Sequence, residues 1–461
     1  PTSDGGILKV PGIAPGLAQH YLSAQKIDFA PRVSIAYNPR PSLVLRAGYG
    51  IFYDAGATQI SGALGNALNG IPGYFIGNEI SNVTEGVPSD TPALSTSQVF
   101  QPAPSLAPGQ YPVSTGPGEG YFGDGQEQPI YYYDNKSMEL PYYQRILADV
   151  QQKLTPNDTL TLSYAGVQGR KGSNYVNINL PAYQTGWPTL NAFDAARPNN
   201  AGRFSDIYVQ RPTLNSYYNA AIVQYQHRFV RGLEFLANYT WSKTISDYPL
   251  VNNLAANGAS PGVSGFQYPN IPDRGEASLS HRHRFVYSGI WSPQYGGSWA
   301  PWARETLTGW RLSGIGTIES GNALTVVNTA TTAADYAGFD ELSVSGNPNL
   351  PRGSKTFFQQ FDTSLFTAPP NGVRGNSGLG TVRGPGQNNV DLSLAKTFPI
   401  HERFHAEFRA DAFNALNHTQ WSGAQTVYPY ATVGNYGNIP FGQVTGALEA
   451  RIMQVALKLA F

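Results

Sequence analysis

The sequence predicts an all-β protein, an antiparallel transmembrane β-barrel, on three observations. The last eleven residues alternate at period two, with Met453, Val455, Leu457, Leu459 and Phe461 on one face and Gln454, Ala456 and Lys458 on the other. A strand of about ten residues that is apolar outward and polar inward is long enough to cross a bilayer at a tilt. Composition points the same way: 13% of residues are charged and 12% aromatic, with 28 Tyr and 50 Gly. Finally, the chain lacks the run of about 18 apolar residues a membrane helix needs, so a crossing requires strands whose backbone groups pair with one another.

Charge narrows the function classes. With 30 basic and 30 acidic residues the formal net charge is zero. No basic stripe offers a footprint for nucleic acid, which is excluded as a partner. The absence of cysteine removes disulfides and thiolate metal sites. The chain opens Pro1-Thr2-Ser3-Asp4 without a Met or an apolar leader, so a removed signal peptide or an upstream extension is expected.

Period-two segments bounded by Gly, Pro, Asn and Asp fall at 28–38, 42–53, 142–154, 159–169, 216–229, 233–245, 282–292, 307–319, 388–398, 403–416 and 451–461. These predict about eleven strands. Tight connections are expected at Asn38-Pro39-Arg40-Pro41, Pro156-Asn157-Asp158, Arg231-Gly232 and near 400–402, with 293–306 somewhat longer. Every other connection is long: 54–141, 170–215, 246–281, 320–387 and 417–450. Outer-membrane barrels place short turns at the periplasm and long loops outside, which puts Phe461 at the periplasmic rim. Bacterial barrels usually close with an even number of strands, so about eleven reads as half a barrel.

Two strands show the facing clearly. Leu233, Phe235, Ala237, Tyr239 and Trp241 share one face, opposite Glu234, Asn238, Thr240 and Ser242. Phe404, Ala406, Phe408 and Ala410 oppose His405, Glu407, Arg409 and Asp411. Lipid suits the first row and water the second.

The blocks Ala30-Pro31-Arg32-Val33-Ser34-Ile35-Ala36-Tyr37-Asn38-Pro39, Leu45-Arg46-Ala47-Gly48-Tyr49-Gly50-Ile51-Phe52-Tyr53-Asp54 and Asn238-Tyr239-Thr240-Trp241-Ser242-Lys243 resemble the Oar-like subgroup of TonB-dependent outer-membrane receptors. Leu162-Ser163-Tyr164-Ala165-Gly166, His283-Arg284-Phe285-Val286, Glu319-Ser320-Gly321-Asn322 and Phe408-Arg409-Ala410-Asp411-Ala412-Phe413-Asn414-Ala415-Leu416-Asn417-His418 are similar to further blocks in family order. The resemblance implies that 1–461 is the C-terminal half of a 22-stranded barrel whose plug and N-terminal regulatory-like domain lie outside this chain. It also implies energy coupling through a TonB-ExbB-ExbD complex, and insertion by the barrel-assembly machinery through the strand ending at Phe461.

Candidate chemistry is sparse. His281-Arg282-His283-Arg284 puts two imidazoles on one strand face, but a metal needs a third ligand, so a structural rim role is expected. His401 and His405 read as turn and lumen residues. Asp391, Glu407 and Asp411 beside Arg409 read as wall residues, not as paired acids. Gly116-Pro117-Gly118-Glu119-Gly120 lacks the strand and helix context of a phosphate loop. No catalytic, cofactor or metal residues are expected.

The expected working surfaces are two. A lumen wall is assigned to Arg46, Arg145, Asp149, Asn238, Arg311, Asp391, Glu407, Arg409 and Asp411. Tyr131, Tyr132, Tyr133 and Trp187, with Tyr142 and Tyr143, lie at the mouth, either as a membrane-interface girdle or as ligand contacts. The function expected is energy-coupled uptake of a large polar solute, with outer-membrane lipid as the surrounding partner. An adhesion barrel using its long loops is the alternative, and an outer-membrane hydrolase is third.

Overall fold

The computed structural model describes residues 28–54, 130–133, 140–177, 196, 198, 207–247, 274–293, 300–328, 341–369, 375–401, 404–428 and 439–460. Strands β1 (Arg32–Arg40), β2 (Leu43–Tyr53), β3 (Ile130–Tyr133), β4 (Tyr142–Lys153), β5 (Asp158–Asn177), β6 (Ile207–Val230) and β7 (Leu233–Ser246) come first. β8 (Gly275–Glu276) and β9 (His283–Trp291) lead to a short helix, α1 (Pro301–Leu307), and to β10 (Trp310–Glu319). The two-residue strands β11 (Ala323–Leu324), β12 (Val327–Asn328), β13 (Ser343–Val344), β14 (Phe366–Thr367) and β15 (Val382–Arg383) precede β16 (Gln387–His401) and β17 (Phe404–Phe413). β18 (Trp421–Ala424), β19 (Val427–Tyr428), β20 (Val444–Ala447) and β21 (Ile452–Ala460) complete the order.

Neighbours in sequence are neighbours in space. The main sheet runs β1-β2-β4-β5-β6-β7-β9-β10-β16-β17-β21, antiparallel throughout. Each of the eleven segments expected from alternation overlaps one of these strands, because a two-residue period fixes both the conformation and the face. Two short strands were not expected: β3 pairs parallel with β6, and β8 pairs with β7.

Some boundaries need correcting. β1 is linked to the start of β2 by a turn at Pro41-Ser42, because β1 continues through Asn38, Pro39 and Arg40. β5 and β6 reach 177 and 207, so part of 170–215 is a strand hairpin, not loop. A bulge between Gly169 and Gly172, with Lys171 at φ 58, lets the ladder resume after the periodicity breaks. The 293–306 connection contains α1. Its Thr306 carbonyl accepts from the Trp310 indole (3.0 Å) and from the Lys396 ammonium, which tie the helix end to β10 and β16. Phe461 lies outside the described residues.

Tight turns follow their residues. Arg231 (φ 49) and Gly232 (φ 82) both adopt left-handed backbone, as a two-residue hairpin with matching twist requires. At β4–β5, Thr155 donates to the Asp158 carboxylate and accepts from the Asn157 and Asp158 backbone amides.

The long connections after β10 and β17 are not shapeless. They build a cap with its own core of Val326, Leu342, Phe361, Phe366, Val382 and Ala424, with Phe441 and Tyr428 packed against it. Phe361 is fully buried and meets Phe366 and Phe441 edge-on at 5.8 and 5.2 Å. Parallel pairing of β12 with β19 stitches the two connections together. Buried Glu276, next to β7, receives bonds from Arg282 (2.8 Å), Ser280 (2.8 Å) and Arg383 of the cap.

Candidate functional site

Cross-strand register decides which side chains share a face. Starting from Arg46, whose partner is Asp149, the ladder carries one face through Ser163, Ile222, Thr240, Arg284, Glu319 and Gln387. The same parity includes Arg145, Asn238, Arg311, Asp391, Glu407, Arg409 and Asp411. All nine residues assigned to the wall therefore lie on one side of the sheet. The other side carries Val33, Ile35, Leu162, Tyr164, Trp241, Leu312, Met453, Val455, Leu457 and Leu459, all exposed.

Charges on the polar face are paired along and across strands. Arg46 reaches Asp149 at 3.4 Å and donates to Gln151 at 2.8 Å. Arg311 lies 3.8 Å from Glu407, and Arg284 3.2 Å from Glu319. Arg409 donates to Asp411 at 2.8 Å, whose second oxygen accepts from Gln454 at 2.9 Å. Arg145 and Arg32 both stack on Phe52, at 4.9 and 4.5 Å. Arg46, Arg311 and Arg409 are each about half exposed, so these pairs stay open to solvent.

Asp391 does different work from a simple wall residue. It accepts from the Asn389 side chain at 3.0 Å and from the Asn414 backbone amide at 2.8 Å. Asn414 sits at φ 49 and exchanges bonds with His418, so this carboxylate anchors the turn that ends β17. The resemblance block 408–418 is thus a turn signature.

Sequence reasoning missed the apolar members of the polar face. Leu147, Leu236, Val286, Ile290 and Ile315 share its parity. Ile290 and Ile315 line a concavity of about 440 Å³ together with Glu234, Ser288, Asp391 and Arg409. It also missed Gln151, Arg284 and Glu319. Transferring register across each hairpin would have found them.

The tetrad at 281–284 is structural in each member. His281 bonds the Ser320 carbonyl (2.7 Å), Arg282 pairs with Glu276, His283 bonds the Tyr239 hydroxyl (2.8 Å), and Arg284 pairs with Glu319. Tyr131, Tyr132 and Tyr133, expected at the mouth, belong to β3, in register with Tyr208, Val209 and Gln210. Trp187 lies outside the described residues.

A family model described as outer membrane beta barrel domain matches residues 2–454. No curated protein matches the sequence. Among solved structures, the outer membrane transporter YddB from Escherichia coli is similar over 91% of this chain and 39% of its own, at 9% identity and a TM-score of 0.43. The ferripyoverdine receptor of the outer membrane of Pseudomonas aeruginosa is similar over 93% and 32%, at 8% and 0.40. BauA, the ferric preacinetobactin receptor from Acinetobacter baumannii, is similar over 94% and 36%, at 10% and 0.38. The chain spans 32% to 39% of the length of these proteins.

Proposed function

The chain belongs to the outer membrane beta-barrel domain family, and we propose that it forms the C-terminal half of an Oar-like, TonB-dependent uptake barrel. It is an outer-membrane protein, which makes lipid the partner of the exposed apolar face. One observation carries the reading: ion pairs drawn from β2, β4, β9, β10 and β17, each with a half-exposed arginine, fall on a single face of the main sheet. Such a wall holds water and passes a polar solute without gripping one species.

The chemistry of uptake follows from that wall. Mixed-sign pairs of modest strength can exchange partners with a solute at little cost, since exposed ion pairs contribute only about 0–1 kcal/mol. Opening would be driven through a plug by the TonB-ExbB-ExbD complex, and insertion by the barrel-assembly machinery at the last strand. The eleven-strand order is half of the 22 that the sequence blocks imply.

Among the described residues, the cluster that most resembles a catalytic relay is not arranged as one. Asp158 stands between Thr155 and His227, bonding the first and lying 2.7 Å from the Nδ1 of the second. Thr155 thus gives its proton to the carboxylate and not to the imidazole, whereas a relay needs the hydroxyl on the second ring nitrogen of His227.

The test is the mass of the native polypeptide recovered from outer-membrane fractions, followed by solute uptake with and without a protonophore. A mass at least about twice that of this chain, with uptake abolished by the protonophore, supports the reading. A mass equal to this chain with unchanged uptake overturns it and favours a surface-binding barrel that works through its folded cap.

A further inference from the structure

The apolar face changes character along its strands. Leu160, Leu162 and then Tyr164 follow one another on β5, while Phe235, Ala237, Tyr239 and Trp241 do so on β7. Tyr164, Ala221 and Trp241 stand at one level, the level of an interface girdle. One step further on the same face come Gly166, Asn219 and exposed Lys243, with the Tyr164 hydroxyl bonded to Asn219 at 2.6 Å. A second step brings Gln168, Tyr217 and Ile245.

Cations gather around that second step. The Arg170 guanidinium lies 4.4 Å and that of Arg274 5.0 Å from the centre of the Tyr217 ring. Lys171, on the bulge, holds its ammonium 5.8 Å from the Tyr142 ring, and Tyr142 is the register partner of Arg170. Against these stands Asp247, which is 3.9 Å from Arg274 and accepts from Asn215 at 3.3 Å. Among the described residues, no carboxylate pairs with Arg170 or Lys243.

We propose that Arg170, Lys171, Lys243 and Arg274, arranged around Tyr217, bind the phosphate groups of an outer-leaflet glycolipid. Two guanidiniums on one ring repel each other, and a phosphate that accepts from both relieves the repulsion. The planar fork of arginine suits phosphate bidentately, while the ring restrains it on the lipid side. Height fits as well. Tyr217 lies four residues above the Trp241 level, about 13 Å along a strand and roughly 9 Å along the membrane normal at a tilt near 45°. That distance reaches through the headgroup layer, which is roughly 5–7 Å thick on each side.

The inference rests on the reading that the long connections face outward, so the experiment separates the two. Protein purified from outer membranes is delipidated in detergent. Lipid binding is then counted by native mass spectrometry with diphosphoryl lipid A, dephosphorylated lipid A, phosphatidylglycerol and inorganic phosphate. Diphosphoryl lipid A should bind at least about tenfold more tightly than the other probes, and an Arg170→Gln, Arg274→Gln double variant should lose about that factor. Equal binding of the dephosphorylated lipid or of phosphatidylglycerol, or an unaffected double variant, overturns the site. If the double variant no longer folds, Lys243→Gln is measured in its place and should lose severalfold. Orientation is read independently from Gly353→Cys, an open position in the cap of a chain with no native cysteine. Failure to label it on intact cells removes the outward reading and the proposed function together. Labelling with phosphate-blind binding removes only the lipid site.

Discussion

Consecutive residues on β5 offer a stringent test of the two faces. Leu162 sits near the middle of the apolar row, 48% exposed, between Val150 and Val223. Ser163 is its immediate neighbour on the opposite face, between Asp149 and Ile222. The backbone environment and depth of the two are nearly the same, so Leu162→Arg and Ser163→Arg differ in the solvent that receives the guanidinium. A lipid-facing arginine costs about 2–4 kcal/mol at the midplane and less toward the rims, so at Leu162, two residues from the Tyr164 level, about 1–3 kcal/mol is expected, or roughly 5- to 150-fold in the folded fraction. On the polar face the new cation meets the Asp149 carboxylate directly across the strand pair, a contact that contributes up to about 1 kcal/mol. Equilibrium unfolding in denaturant from phospholipid vesicles should therefore show a large midpoint shift for Leu162→Arg and a change within about 1 kcal/mol for Ser163→Arg. Equal shifts, or a larger loss at Ser163, would refute the assignment of the faces and with it the uptake wall.

Depth should modulate the same effect. Phe235 is only two residues beyond the start of β7, so Phe235→Arg should cost about 1–2 kcal/mol, less than Leu162→Arg, while Asn238→Arg on the polar face stays near neutral in the same assay. Burial alone would raise the Glu276 carboxyl, but hydrogen bonds from Arg383, Arg282 and Ser280 outweigh it and hold the group at about 2. Because the folded value is depressed, the stability it contributes is present above the ordinary value of 4.5 and is lost as pH falls from there through about 2. Hydrogen exchange in 375–385 should accordingly be flat from pH 7 to pH 5, once corrected for intrinsic rates, and rise in acid. Glu276→Gln should remove that acid dependence. Phe361→Ala should destabilise the cap by about 3–5 kcal/mol, read as faster proteolysis within 341–369, while the heat-dependent electrophoretic shift of the sheet persists.

Strands and cap differed in how far the residues announced them, and the reason is range. Alternation in Leu233–Ser246 is visible within fourteen residues, because the face of each side chain is set by its own position and confirmed by the adjacent hairpin partner. The cap core joins Val326, Leu342, Phe361 and Val382 from one connection to Ala424 and Phe441 from another. These residues recur at no fixed spacing, and the parallel contact of Val327-Asn328 with Val427-Tyr428 spans a hundred residues. Gly- and Pro-rich composition signals turns correctly there but is silent on what the turns enclose.

The same contrast explains the partial reading of the wall. Charge type and parity placed all nine wall residues on one face, since both are local properties. The work of each depended on a partner elsewhere. Asp391 looks equivalent to Asp411 in sequence, yet Asp391 anchors the Asn414 turn, whereas Asp411 is shared by Arg409 and Gln454 across β17 and β21. Removing the Asp391 carboxylate should therefore loosen the base of the cap before it alters the wall. Both carboxylates line the concavity, but the acceptor sites of Asp411 are committed to wall side chains and not to a turn. On the proposed uptake reading, a solute that displaces Gln454 or Arg409 would find a carboxylate already in place, so a paired wall would bind weakly and release.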